Sequence, residues 1–175
     1  MAPKHESEKP RIGVQTTAFV TGSFLSGAMM SLSVIAVPVL LDTNLTDSGH
    51  TVHQWARLYH YGHIYMPALA VATTGLYIYT AMRKWAAREH NRLLIYAAAG
   101  VSTIAIVPFT WVLMDPTNYI LFGLDELPKG STQMMDEPTV RKLLMKWAWL
   151  HVVRSLLPLA GSILGLVGVL QERIW

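Results

Sequence analysis

The chain has 175 residues, of which 52% are hydrophobic and 14% charged, with a formal net charge of +3 and a positive mean hydropathy. So much apolar surface cannot be hidden inside a soluble domain of this length, and the basic residues gather at segment ends rather than on a basic helix, which excludes nucleic acid as a partner. The absence of cysteine removes thiol redox chemistry, structural disulfides and zinc–thiolate sites.

In chain order, Met1–Gly13 reads as a polar, disordered tail, followed by four apolar stretches, Val14–Leu41, Trp55–Met82, Leu93–Met114 and Trp147–Leu170. Each is long enough for a tilted bilayer-spanning helix, which needs roughly 20 mainly apolar residues. The third has no charged residue between Arg92 and Asp115, and so no polar face to turn toward water. The predicted fold is all-α: one four-transmembrane-helix bundle over residues 14–175. The first apolar run is too long for a secretory h-region and is followed by three more, so it reads as an uncleaved anchor.

Basic residues set the orientation. Lys4, Lys9 and Arg11 precede the first span, Arg83, Lys84, Arg88 and Arg92 join the second to the third, and Arg173 follows the fourth, whereas 42–54 carries no Lys or Arg. The positive-inside rule then places both termini in the cytosol and the 115–146 connection on the other side. Lys129 runs against the rule, as do Arg141, Lys142 and Lys146, which read as the first turns of a helix continuing into the fourth span. Asn44-Leu45-Thr46 is a glycosylation sequon on the non-cytosolic side, its use left open by its closeness to the membrane. Residence in the endoplasmic reticulum is the expectation.

A connection of about 30 residues is long for a turn and suggests a binding element. In it, Asp115-Pro116 is expected to end the third helix, Tyr119–Leu124 supplies an apolar stretch, and Pro138 suits the first turn of the last helix. The stretch either lies across the mouth of the bundle or floats on headgroups. Small residues, Gly161-x-x-x-Gly165 with Gly168 and Ser23-x-x-x-Gly27, are expected to let helices approach closely. Pro38, Pro67, Pro108 and Pro158 place one proline in every span, where freed carbonyls can bend a helix and shape a cavity.

Ionisable groups at membrane depth are functional candidates by default. Arg57 and His60 open the second span and His151 and Arg154 the fourth, at overlapping depths on antiparallel helices. Neighbours three apart share a helix face, so two Arg/His pairs are expected to converge, with Asp42, Asp115 and Asn118 closing the same polar end. A neutral imidazole can take a proton from a weak carbon acid, and a guanidinium can hold the resulting oxyanion. The competing reading is that these groups snorkel to the interface beside Trp55, Tyr59, Trp147 and Trp149. His60-x-x-His63 also permits a single metal ion, and a haem held by one His on each of two facing helices, from among His60, His63 and His151, is the leading cofactor alternative. No Asp or Glu lies within the four spans, so the carboxylate-rich di-iron pattern is missing.

Four blocks, in order, carry a family resemblance: Ser26-Gly27-Ala28-Met29-Met30-Ser31-Leu32-Ser33 followed by Val37-Pro38-Val39-Leu40-Leu41-Asp42; Gln54-Trp55 to Pro67 with Tyr61-Gly62-His63; Pro108-Phe109-Thr110-Trp111 to Pro116-Thr117-Asn118; and Lys146-Trp147 through His151 to Arg154-Ser155-Leu156-Leu157-Pro158. Across roughly residues 14–170 the chain resembles the fungal anthrone oxygenases. The resemblance implies an integral membrane enzyme of aromatic polyketide biosynthesis that oxidises an anthrone to an anthraquinone with O₂ as co-substrate; because an electron-rich anthrolate can pass one electron to O₂ without a metal, no resident cofactor is expected. On the helix geometry, His151 is then expected to take the methylene proton, Arg154 and Arg57 to hold the oxyanion, and His60 to orient or protonate, with His60 and His151 interchangeable as the base. His63, Tyr61, Trp111 and Asn118 are the expected substrate contacts. Two other classes stay open: a haem-bearing electron-transfer protein and a non-catalytic membrane carrier or chaperone.

Overall fold

A computed structural model describes residues 13–43, 47–127 and 136–174, with residues 173 and 174 described by backbone alone. The expected tail, apart from Gly13, and the sequon at Asn44 therefore lie outside the described residues. Among the described residues four long helices form the fold: α1 (Val14–Thr43), α2 (Ser48–Ala86), α3 (His90–Asp125) and α4 (Glu137–Ile174). All four are long and apolar enough to cross a membrane. At 1.5 Å per residue even the 30-residue α1 exceeds the roughly 30 Å hydrocarbon core, so helix ends extend beyond it. The outward faces are greasy, with Phe24, Val101 and Val112 each about 70% exposed, as lipid-facing surfaces are.

The helices pack α1 against α2 and α4, and α3 against α2 and α4, giving a square bundle. Tight α4 contacts depend on missing side chains. A Cβ on Gly161 would sit 2.5 Å from Thr103 Oγ1, and one on Gly165 2.5 Å from the Tyr77 hydroxyl. The expectation for Ser23-x-x-x-Gly27 does not hold, because a Cβ on Gly27 would meet nothing within 4 Å. Gly22 and Ser26 make the approach instead, Gly22 against Ser162 Oγ and Ser26 Oγ donating to the Ser155 carbonyl at 2.8 Å.

At the end nearest the chain termini, polar side chains join all four helices. Glu172 of α4 accepts from Gln15 at 2.7 Å and Tyr96 at 2.9 Å and pairs with Lys84 at 2.9 Å, while Arg92 binds Glu89 at 2.7 Å. The Arg92 hydrogen bond, with Lys84 nearby, holds the Glu89 carboxyl below its ordinary pKa.

Prolines shape the opposite half. α1 widens into a π-turn over Leu32–Ala36, closed by Val37 N–H donating to the Leu32 carbonyl immediately before Pro38. α3 does the same over Thr110–Met114, closed by Asp115 N–H to the Thr110 carbonyl immediately before Pro116. A proline ring collides with the carbonyl four residues back and has no N–H to offer it. The extra residue of a π-turn relieves that collision, and such turns recur at functional sites. The same relief corrects the expected end of the third helix at Asp115-Pro116: the helix continues to Asp125, and the connection shortens to 126–136. Pro108 breaks the α3 pattern at Ala105, whereas Pro67 and Pro158 sit within uninterrupted helix.

The extended end of α3 packs on the protruding turns of α2 and α4. Leu121, Trp55, Leu144 and Trp147 are each at most 2% exposed, with Phe122 packed against them. Trp55 meets Trp147 edge-on with centroids 5.9 Å apart, and His53 Nδ1 binds Asp125 at 3.0 Å. Of the two placements open for the Tyr119–Leu124 stretch, the structure has the one at the bundle mouth, as a helical plug with Tyr119 and Ile120 on its exposed side.

Candidate active site

Beneath this plug lies a cavity of about 320 Å³, at the lower end of the range typical of small-molecule sites. Ile106, which lines it, packs with Leu25, Met29 and Ala70 in a buried cluster. Trp147, His151 and Arg154 all reach it from α4 because spacings of four and three keep them on one helix stripe.

His151 is 1% exposed. Its Nδ1 lies 3.1 Å from Ser33 Oγ in the α1 π-turn, and Trp147 leans over the imidazole at 4.7 Å between centroids. Trp147 is fixed in turn, its indole N–H donating to Asn118 Oδ1 at 3.1 Å while Asn118 Nδ2 donates to Asp115 Oδ1 at 3.2 Å. Indole, amide and carboxylate thereby set the height and tilt of one imidazole.

Arg154 donates from Nη1 to Thr110 Oγ1 at 2.6 Å. That hydroxyl gives its own proton to the Ile106 carbonyl at 2.8 Å, so its lone pairs are available to the guanidinium. The buried Nε–H of Arg154 has no partner, and no carboxylate lies within 4.0 Å of the guanidinium among the described residues. Burying a cation without a counterion is costly, and the arrangement suits a site that receives an anion. Tyr59 and Asp115 face the same space.

The α2 wall bears Tyr59 and His63, one helical turn apart. Their rings stack at 5.4 Å, and His63 Nδ1 lies 3.2 Å from the Tyr59 carbonyl. Trp111, in the α3 π-turn, lines the cavity while its outer surface is 68% exposed.

The structure therefore unites His151, Arg154, His63 and Trp111 around one space and places Asn118 directly behind Trp147. It does not bring Arg57, His60 or Tyr61 to that space. Trp55, Tyr59 and Gly62 occupy the inward stripe of α2, which leaves Arg57, His60 and Tyr61 exposed on other faces. Arg57 instead bonds the Tyr61 hydroxyl at 3.2 Å and lies over its ring. The expected convergence of two Arg/His pairs is corrected accordingly: the depths match, but the rotation about the α2 axis does not. His60 and His63 rings sit edge to face at 5.7 Å, with His151 on a different wall. No three His, Cys, Asp or Glu side chains gather to hold a metal among the described residues. Thr110 and Ser33 were not among the expected site residues, and Trp147 entered only through the competing interfacial reading, although its spacing from His151 and Arg154 places it on their stripe.

Comparison with known proteins gives a consistent result. Residues 55–164 match the anthrone oxygenase family. The chain is 51% identical to an anthrone oxygenase of Paecilomyces divaricatus over 92% of its length and 96% of that protein. It is 53% identical to an anthrone oxygenase of Aspergillus novofumigatus over 91% and 94%, and 41% identical to a noranthrone monooxygenase of Aspergillus flavus over 91% and 74%. No solved structure matches.

Proposed function

The chain belongs to the anthrone oxygenase family, and from that premise we propose that it oxidises the methylene of an aromatic polyketide anthrone to a quinone carbonyl with O₂, in the cavity between His151 and Arg154. The observation that carries the reading is the pairing, around one cavity, of a buried imidazole with a guanidinium that has no carboxylate within 4.0 Å among the described residues.

The chemistry follows from those two groups. An anthrone methylene is flanked by two rings, and its conjugate base is a fully aromatic anthrolate whose charge rests on the former ketone oxygen. With Nδ1–H donated to Ser33, His151 Nε2 keeps a lone pair and takes the methylene proton. Arg154 holds the new oxyanion with its unused donors, an interaction that exists only once charge has developed and so lowers the barrier. The electron-rich anion passes one electron to O₂, and the resulting radicals join through a carbon–oxygen bond. The peroxide takes back a proton from His151. Loss of water, with the second methylene hydrogen and the distal oxygen, leaves the carbonyl. One oxygen atom of O₂ enters the quinone, the other leaves as water, and no cofactor is required. Tyr59, His63 and Trp111 supply faces for a flat tricycle.

The proposed setting is the endoplasmic reticulum membrane with both termini cytosolic, which puts the plug and Asn44 on the lumenal side. The basic-residue asymmetry supports this orientation. Two experiments test the proposal. Purified, chelator-treated protein showing no haem spectrum should accelerate anthrone consumption under ¹⁸O₂ and place one labelled atom in the quinone. Activity that vanishes on chelation and returns with iron or copper refutes the mechanism. Because the chain lacks cysteine, single cysteines near Arg88 and Ser48 report sidedness; labelling of the first from the lumen would reverse the orientation.

A further inference from the structure

Resting on the reading of the cavity as the anthrone site, we infer that it is filled sideways from the bilayer, through a mouth between α2 and the π-turn of α3 where His63 and Trp111 stand, with Gly62 on the cavity wall next to His63. Both axial routes are shut. Toward the loop end, the layer containing Trp55, Leu121 and Leu144 is closed by tilted aromatic contacts such as Trp55–Phe122 at 5.1 Å, and a rigid tricycle would have to dismantle it. Toward the other end, Leu25, Met29 and Ala70 are wholly buried.

Sideways, the walls differ. The α4 side presents the buried Trp147 and His151, and Leu32 of α1 lies close to Gly62 of α2. Only His63 and Trp111, on the adjacent helices α2 and α3, both line the cavity and stand exposed. Those helices pack closely lower down, where Thr74 Oγ1 reaches the Gly100 carbonyl at 3.4 Å, and again above, where α3 joins the plug. Their packing is sparse at the π-turn, where Trp111, Val112 and Leu113 are between 49% and 71% exposed. The rim includes Leu58, Pro67 and Val107 within the apolar stretches of both helices, so the mouth faces hydrocarbon rather than water.

The substrate class narrows accordingly. Flat, uncharged aromatic ketones and phenols dissolved in lipid can enter, and the quinone leaves by the same path. Molecules carrying a fixed anionic group cannot cross the rim, although Arg154 would welcome the charge inside. The preceding reaction must therefore deliver its anthrone without fixed charge.

Gly62 offers a clean obstruction, because a Cβ there would meet only Leu32 Cδ1, at 3.9 Å. Gly75, exposed on the same helix with nothing within 4 Å of such an atom, is the matched control, since both changes raise helix propensity equally. In phosphatidylcholine vesicles, Gly62→Leu should lower kcat/KM for a neutral anthrone by roughly tenfold or more with kcat less affected, and more severely for a bulky alkyl anthrone. Gly75→Leu should match the wild type, Trp111→Ala should shift preference toward the alkyl substrate, and a water-confined sulfonated anthrone should be consumed only at its spontaneous rate. Lateral access is overturned if Gly62→Leu behaves as Gly75→Leu, if the sulfonated compound is turned over, or if loosening the plug with Phe122→Ala restores Gly62→Leu. A wild-type protein that oxidises no anthrone overturns the proposed function and this inference together, whereas normal wild-type turnover with indistinguishable glycine variants removes the inference alone.

Discussion

Thr110→Val removes a single oxygen from the centre of the proposed machinery. The Thr110 hydroxyl donates to the Ile106 carbonyl at 2.8 Å and accepts from Arg154 Nη1 at 2.6 Å, so valine erases both bonds while nearly keeping the side-chain shape. The Ile106 carbonyl retains its backbone partner, Thr110 N–H. Arg154, whose buried Nε has no partner and whose guanidinium has no carboxylate within 4.0 Å among the described residues, loses its hydrogen bond to Thr110. A hydrogen bond to a charged group contributes about 1.5–3 kcal/mol. If that energy is what aims the guanidinium at the developing oxyanion, kcat should fall roughly 10- to 150-fold, at about 1.4 kcal/mol per decade, with KM moving less because neutral ground-state anthrone gains little from Arg154. The assay follows quinone appearance under air, with kcat and KM separated and unfolding in detergent measured alongside. Thr110→Ser should recover most of the rate, since it keeps the oxygen. A normal kcat in Thr110→Val would remove Arg154 from the transition state or show that the bond does not position it. A serine variant as slow as valine would trace the effect to π-turn packing instead.

Other outcomes follow from the same geometry. His151→Ala should slow turnover by roughly 10²–10⁴-fold, and raising the pH should recover part of the loss as hydroxide substitutes for the base; full activity in a well-folded variant would dismiss His151. Arg154→Lys keeps the charge but not the planar fork and should remain impaired, as kcat measurement will show. Arg57→Ala and His60→Ala alter exposed side chains outside the cavity and should each cost less than about tenfold; a loss matching that of His151→Ala would restore them to the site. Asn118→Leu strands the buried Trp147 indole N–H and should lower unfolding stability by about 1–3 kcal/mol, which denaturation in detergent will measure. Glu89, whose folded pKa is depressed, contributes stability that is present above its unfolded value near 4.5 and is lost as pH falls through the lower folded value. Glu89→Gln should flatten that acid dependence of the melting temperature.

The sequence by itself determined the four spans, their antiparallel order and the depth of every intruding charge, because lipid forbids unpaired backbone and penalises ions whatever the tertiary packing. It did not determine rotation about each helix axis. In water, an amphipathic pattern marks the buried face, but here lipid-facing and core-facing positions are both apolar, so Arg57 and Tyr59 look equivalent until the bundle turns one outward and the other inward. The same ambiguity hid the difference between Trp147, 2% exposed against His151, and Trp149, 66% exposed on the outer face. Pro116 reads locally as a helix end, and only the π-turn before it, stabilised by packing against α4 through Arg154 and Thr110, lets α3 continue and cap the cavity. What tertiary structure decided was thus the azimuth of side chains whose depth was already written in the chain.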